Sequence, residues 1–349
     1  MPIALDAMGG DQAPAEPVRG AVLAARELGI EVALVGPERI VREELARHGG
    51  APSGVTVVGA DQYVAMDDAP VQAVRQKKDA SVNVAMRLAK RGEAAAVVSA
   101  GSTGAVMASA LLNLGRLRGI ERPAIGAIAP YTETGILVLD VGANPDCKPS
   151  YLEQFAQMGA VYMEKVYGVQ RPRVGLMNIG EEDAKGNELT QEVFSRLQDS
   201  GLNFVGNVEP NRVHHNVADV IITDGFTGNV AVKATEGAAE FIFQQLRTVI
   251  TSRLRYRLAA LVLRPALMQM RRRMDYGEYG GAPLLGVDGV VIVAHGRVDG
   301  QAVKNALRLA REAAGSGMLE ALRSVFSRDG VGAPVPPPAV PSTLGETRA

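Results

Sequence analysis

Six side chains stand out for what they could do to an anion. Three lysines, Lys148, Lys185 and Lys233, and three asparagines, Asn144, Asn187 and Asn229, lie in stretches crowded with glycine and charge. These read "LDVGANPDCKP" (139–149), "NIGEEDAKGNEL" (178–189) and "TDGFTGNVAVK" (223–233). "LDAMGGDQAP" (5–14) and "SAGSTGA" (99–105) have the same character. Glycine lets the main chain approach a ligand closely. The free N–H groups at a helix start favour an anion such as phosphate. Lysines neutralise it, and asparagines can donate to or polarise a carbonyl beside it.

The stretches differ in how far they depart from ordinary turns. In "SAGSTGA" the amides of residues 102–104 would open a helix, with hydroxyls from Ser102 and Thr103. Plain helix capping explains that loop equally well, and the dinucleotide spacing G-x-G-x-x-G is absent. In "TDGFTGNVAVK" Lys233 follows Asn229 by one helical turn, so the two share a face. Turn geometry alone does not call for that arrangement. "NIGEEDAKGNEL" reads equally as a long solvated loop. Cys147, alone beside a lysine and with no nearby histidine, is a poor nucleophile. His295 ends the last apolar run, and His214 and His215 pack or face solvent. No histidine pair has metal-ligand spacing with an acid, so neither a metal nor a cofactor is expected.

Each stretch follows a β-branched run and precedes a helical pattern. Strands are expected at 2–6, 31–36, 55–58, 95–99, 124–129, 136–141, 173–178, 204–206, 219–223 and 290–294. Helices are expected at 14–28, 38–48, 80–91, 103–117, 149–167, 188–200, 229–250 and 299–314. Such alternation predicts βαβ units in a mostly parallel sheet covered on both faces. Ligands bind such sheets beyond the carboxyl ends of the strands, so the loops should converge on one oxyanion pocket.

The 349 residues, 47% of them apolar, can build a large core, and the net charge of −1 makes no case for nucleic acid. One cysteine points to a reducing compartment. With no leader pattern and no run of about 20 apolar residues, a cytoplasmic protein is expected. Residues 1–330 read as a single α/β domain and the Pro-rich 331–349 as a disordered tail. Residues 253–274 hold seven arginines and no acid. Pro265 should divide this stretch (253–275) into two short amphipathic helices. Leu254, Leu258, Leu261 and Val262 stripe the first; Leu267, Met270 and Met274 stripe the second.

Taken in order, these loops resemble the phosphate acyltransferase family, the acyl-carrier-protein:phosphate acyltransferases of bacterial phospholipid synthesis. The resemblance runs through "IALDAMGGDQAP", "SAGSTGA", "RPAI", "LDVGAN", "PRVGLMNIGEEDAKGNELT", "GNVE", "ADVIITDGFTGNV", "YGEYGGAPLLG" and "AHG", over roughly residues 2–315. The chain departs from the family pattern in having Gln12 where histidine is expected and Ser102 where asparagine is common; both keep a hydrogen-bonding side chain.

The resemblance implies a three-layer αβα fold like that of isocitrate and isopropylmalate dehydrogenases, with a protruding helical pair. It implies a homodimer whose cleft lies near the interface. The reaction would move a long-chain acyl group from acyl carrier protein to inorganic phosphate, and the acyl phosphate would feed a membrane glycerol-3-phosphate acyltransferase. Direct attack needs no enzyme nucleophile, because phosphate is already partly dianionic near neutral pH and a thiol leaves readily.

On this reading Lys185, Asn187, Asn229 and His295 carry the catalysis. Gly101, Ser102, Thr103, Gly104, Asn144, Asp146, Lys148, Thr227, Gly228 and Lys233 hold substrate. Asp6, Gly9, Gly10, Asp11 and Asp224 order neighbouring groups, since a carboxylate would repel phosphate. Leu254, Leu258, Leu261, Val262, Leu267 and Met270 would rest on the inner face of an anionic membrane, peripherally. The arginines beside them, or the cluster Arg75, Lys77 and Lys78, would meet the acidic carrier protein. Three rival readings are an NAD-dependent β-decarboxylating dehydrogenase, a coenzyme A-dependent phosphate acetyltransferase and a membrane-surface scaffold. The first lacks an identifiable metal cluster and dinucleotide loop. The second lacks a use for the arginine segment, and the third leaves the polar loops unexplained.

Overall fold

The computed structural model describes residues 1–132, 134–273 and 280–327. The expected tail at 331–349 and Met274 lie outside the described residues. Strands β1 (Ile3–Asp6), β2 (Val32–Gly36), β3 (Val55–Gly59), β4 (Ala96–Ser99), β5 (Ala124–Ala129), β6 (Ile136–Leu139), β7 (Arg173–Met177), β8 (Asn203–Val208), β9 (Val220–Ile222), β10 (Ala282–Leu285) and β11 (Val291–Val293) form one sheet. Their order is β3-β2-β1-β4-β11-β10-β5-β6-β9-β7-β8. Helices α1 (Ala15–Leu28), α2 (Glu38–Arg47), α3 (Pro70–Gln76), α4 (Ser81–Lys90), α5 (Thr103–Asn113), α6 (Pro149–Tyr167), α7 (Glu188–Gln198), α8 (Gly225–Ser252), α9 (Leu254–Arg273), α10 (Gly300–Gly315) and α11 (Met318–Ser327) flank or project from it. The architecture is the expected mostly parallel α/β sheet between helical layers.

The inner parallel strands β1, β2, β4, β6, β9 and β11 are short and buried on both faces, and so read as continuous apolar runs rather than alternating ones. On one face a large core packs beneath α1, α6, α10 and α11, with Tyr162, Phe155 and Met158 fully buried. On the other, α3, α4 and α5 cover the β1–β4 half around Met86, Val97 and Val106. A smaller core around Ile136, Val138 and Ile221 lies under the β6–β9 half, where Ala231 of α8 packs against it.

One strand was not expected. β10 is antiparallel to both β11 and β5, and β5 is antiparallel to β6. Its run Ala-Pro-Leu-Leu holds a proline, which argues against a strand on sequence grounds. β11 and β5, on either side of β10, run the same way, so it is the β5–β6 pairing that matters for the site. Strands β1 to β5 and β11 run one way; β6 to β10 run the other. The carboxyl ends of β1, β4 and β11 therefore face one edge of the sheet, and those of β6, β7 and β9 face the opposite edge. The Gly-rich loops do not gather at one edge, as a uniformly parallel sheet would have required.

The arginine-rich stretch also departs from expectation. α9 runs unbroken from Leu254 to Arg273 with Pro265 inside it, rather than as two short helices. An interior proline removes one amide and costs roughly 3 kcal/mol; the turn before it, at Leu261 to Leu263, is solvent-exposed. α9 follows directly on α8 and packs against it. α8 begins four residues earlier than expected, at Gly225, and only Gly225 and Gly228 of its 28 residues are buried. α3 and α11, also unexpected, are short elements that close the body.

Candidate active site

A cleft of about 760 Å³ is lined by α8, by the start of α10 and by Thr103 of α5, over the central strands β5 and β10. Loops from both edges of the sheet reach it. Thr103, His295 and Arg297 enter from the β4 and β11 ends; Gly142, Asn229 and Lys233 enter from the β6 and β9 ends.

The first loop braces the β4 side. Asp6 is buried, accepting from the Ser99 hydroxyl at 2.7 Å and the Met8 amide at 3.1 Å. Burial pushes its carboxyl above the usual carboxylate range, with bonds from Ser81, Ser99 and Met8 opposing that rise. The Gly101 amide donates to Ser99 Oγ at 3.1 Å, so Asp6 anchors the start of the next loop through Ser99. Gly9 passes against that loop: a Cβ there would lie 2.7 Å from the Gly101 nitrogen and 2.9 Å from Ser99 Oγ. Gly10 has φ +105°, a turn that a side chain would strain. The Asp11 amide donates to the Gly296 carbonyl at 2.8 Å, and its carboxylate lies 3.6 Å from Arg297 Nε.

These bonds set the α5 N-terminus. Ser102 is its N-cap, with Oγ accepting from the Ala105 amide at 3.4 Å. The amides of Thr103 and Gly104 open the helix and have no intrahelical carbonyl to bond. Gly104 packs on Pro70 of α3, where a Cβ would meet the ring at 3.2 Å. His295 ends the run from β11, and its Nδ1 accepts from the Arg297 amide at 3.2 Å. A neutral imidazole held this way carries its proton on Nε2 and can donate it.

The opposite side is organised by Asp140, which sequence reasoning did not single out. Its Oδ1 accepts from the amides of Ile125, Gly142 and Ala143 at 3.0 to 3.1 Å. Its Oδ2 accepts from the Asn144 amide at 2.7 Å and from Asn144 Nδ2 at 2.9 Å. Burial raises this carboxyl, and the ring of donors opposes the rise. Asn144 is buried and also donates to the Pro123 carbonyl at 2.8 Å, so it builds the loop. α8 docks on that loop: the Gly225 amide donates to the Asn144 carbonyl at 2.8 Å, and Gly228 packs against the Asp140 carbonyl with no room for a Cβ. Asp224 caps α8 by accepting from the Thr227 amide at 2.8 Å and its hydroxyl at 2.7 Å. Thr227 is thereby committed to the cap. Asn229 donates Nδ2 to the Val141 carbonyl at 2.9 Å, leaving its second N–H and its Oδ1. Lys233 lies one turn on, at the cleft.

Other expected site residues are placed elsewhere. Asn187 caps α7, its Oδ1 accepting from the Thr190 amide at 3.0 Å. Lys185, half exposed, lies 4.0 Å from Glu182. Asp146 and Lys148 are exposed on the loop before α6. None of these four lines the cleft, although the β7 loop carrying Lys185 ends on the same edge as the α8 N-terminus, beside β9. The reason is chemical: an asparagine beside a glycine turn serves as an N-cap as readily as it serves a ligand. Arg297, missed by sequence reading, follows His295 by two residues and adds a cation at the cleft. Cys147 donates to the Asn144 carbonyl at 3.4 Å. Burial pushes its thiol up to about 12, with Asp140, Asp224 and Asp146 adding to the rise, so it is no thiolate near neutral pH. Among the described residues no His, Cys, Asp and Glu group has the makings of a metal site.

On α9, Leu254, Leu258, Leu261 and Val262 are exposed along one face, and Met270 is exposed further on; Leu267 is half-buried. Among the described residues no helix is long and apolar enough to cross a membrane. Lys77 bonds Asp68 at 2.6 Å.

Comparisons with known proteins bear on this geometry. The model of a family described as fatty acid synthesis protein matches residues 1–321. A phosphate acyltransferase from Desulfitobacterium hafniense (strain DSM 10664 / DCB-2) is 51% identical over 330 residues, covering 94% of this chain and 98% of the relative. The phosphate acyltransferase of Heliobacterium modesticaldum is 50% identical over 93% of this chain and 97% of its own. Among solved structures, the EutD phosphotransacetylase of Staphylococcus aureus superposes with a TM-score of 0.59 at 15% identity, covering 90% of this chain and 94% of that one. A 4-hydroxythreonine-4-phosphate dehydrogenase from Klebsiella pneumoniae gives 0.55 at 14% identity over 90% and 99%. At such low identity these two support the fold alone. The near-full-length relatives at about half identity settle the family: this chain belongs to the phosphate acyltransferases, and it is an acyltransferase.

Proposed function

We propose that the cleft transfers a long-chain acyl group from the thioester of acyl carrier protein to inorganic phosphate, releasing acyl phosphate for phospholipid synthesis. The observation that carries this reading is the meeting, in one cleft, of the α5 N-terminus, two cations and two carbonyl-polarising donors above an apolar floor. Phosphate sits on the Thr103 and Gly104 amides and is neutralised by Lys233 and Arg297. The free N–H of Asn229 and Nε2–H of His295 point at the thioester oxygen, where charge develops during attack. Removing one such donor typically costs about 3 kcal/mol of transition-state stabilisation. A phosphate oxygen adds to the carbonyl carbon, the tetrahedral intermediate collapses, and the thiolate leaves with the C–S bonding pair. A thiol pKa near 8.5 makes that departure easy without an acid. No covalent adduct with the enzyme forms. Lys185, outside the cleft on the loop after β7, neutralises phosphate as it arrives.

The rest of the reading concerns where the enzyme works. The α8–α9 arm presents large apolar side chains to solvent beside arginines, a combination suited to resting on anionic lipid from the cytoplasmic side. There the acyl phosphate passes to a membrane glycerol-3-phosphate acyltransferase. The arginines also steer the acidic carrier protein. Two chains pair with their clefts near the interface. The decisive assay offers palmitoyl-acyl carrier protein or palmitoyl-coenzyme A together with phosphate and traps acyl phosphate with hydroxylamine. Hydroxamate from the carrier-protein donor is expected at the higher kcat/KM. Turnover with coenzyme A alone would overturn the donor assignment.

A further inference from the structure

We infer that α8 is a ruler for the acyl chain, with Ala239 and Phe243 setting the preferred length. This deepens the acyl-transfer reading and rests on it. The cleft-lining residues of α8 are Asn229, Val232, Lys233, Glu236, Ala239 and Phe243, which recur at helical spacing along one face. The polar end, Asn229 and Lys233, lies where the reaction takes place. Beyond it the face turns to Ala239 and Phe243, with only the half-buried Glu236 between. Across the cleft, Ile125 and Ala127, which share one face of β5, supply an apolar wall. A thioester whose carbonyl is held by Asn229 must lay its alkyl chain along something, and this face leads away from Asn229 and Lys233.

The dimensions fit. Asn229 and Phe243 are separated along α8 by about 21 Å, at roughly 1.5 Å per residue. An all-trans alkyl chain, built of bonds of about 1.5 Å, advances about 1.25 Å per carbon, so that span holds a chain of about 16 carbons. Ala239 lies about 15 Å along, level with roughly the twelfth carbon by the same rise. Its methyl leaves the path open. The ring of Phe243, half-buried at the far end, closes it.

Ala239→Phe should block the groove part-way, and Phe243→Ala should open its end. Both are assayed on acyl-carrier-protein donors of 8 to 18 carbons with saturating phosphate. For Ala239→Phe, kcat/KM on the 16-carbon donor is expected to fall at least about tenfold while the 8-carbon donor is used as by wild type, since apolar pockets discriminate by such factors per methylene or two. Retained 8-carbon turnover also shows that the variant folds. For Phe243→Ala, the optimum should move to longer chains. Wild-type length profiles in both variants would overturn the ruler. If wild-type enzyme itself made no acyl phosphate from any donor, the acyl-transfer reading would fail instead, so the two failures are distinct.

Discussion

Gly228→Ala is the substitution that most directly tests how α8 presents Asn229 and Lys233. A Cβ at this position would overlap the Asp140 carbonyl oxygen and lie 2.8 Å from Thr223 Cγ2. Ordinary non-bonded contact is about 3.5 Å, so the first turn of α8 must withdraw by roughly 1 Å or more. Stability and activity should then part company. Alanine gains up to about 1 kcal/mol over glycine in a helix, and overpacking costs about 1–3 kcal/mol, leaving a net loss of about 0–2 kcal/mol. Displacing reactive groups by about 1 Å, by contrast, costs on the order of 10²-fold in rate. Thermal unfolding and kcat/KM for acyl phosphate formation are measured on the same sample. Gly237→Ala, on the same helix with nothing near its added methyl, serves as the control; it should be up to about 1 kcal/mol more stable and fully active. A Gly228→Ala enzyme with kcat/KM near that of wild type would refute the claim that this close packing positions the site.

Three further outcomes follow from the same geometry. Asn229→Ala should lower kcat by roughly 10²–10³-fold with little change in melting temperature, the usual cost of losing an oxyanion donor; a near-normal rate in steady-state kinetics would remove Asn229 from the chemistry. At Asp219, burial acts to raise the carboxyl, but bonds from the Arg173 side chain and amide outweigh it, so the folded value lies below the ordinary 3.8. Its contribution to stability is present above that ordinary value and is lost as pH falls through the folded one. Asp219→Asn should therefore melt below wild type at neutral pH, with the gap closing in acid; a gap constant across pH would contradict this. Leu258→Glu combined with Leu261→Glu should release the protein from anionic vesicles in flotation assays while leaving turnover on soluble donor intact, and unchanged flotation would refute the membrane role of the arm.

How far the sequence discloses this molecule depends on whether local or distant groups decide each feature. The parallel strands are legible because strands buried on both faces read as unbroken apolar runs, as in "VALVG" of β2. β10 is not, because its pairing is set by neighbours far away in the chain and its proline argues against it. The reversal of half the sheet comes instead at the β5–β6 hairpin: both strands are legible, but nothing local says that they pair antiparallel, and that pairing divides the loops between two edges. At residue level, the spacing of Asn229 and Lys233 is a property of one helix and can be read directly. Asn187 has the same composition around it, yet only the chain's path shows that its side chain caps α7. Asp140 is the converse case. Nothing in "LDVGAN" distinguishes it from a solvated acid, and its part in folding that loop depends on amides from both β5 and the turn after β6. Pro265 argues for a helix break on local grounds, yet α9 continues through it, so the residues on either side outweigh the local cost.

The most direct test of the account is a single-turnover experiment with carbon-labelled palmitoyl-acyl carrier protein and excess enzyme, quenched on the millisecond scale with and without inorganic phosphate. Label should pass straight to acyl phosphate when phosphate is present and remain on the carrier protein when it is absent. Label bound covalently to the enzyme in the absence of phosphate would contradict direct attack in the cleft.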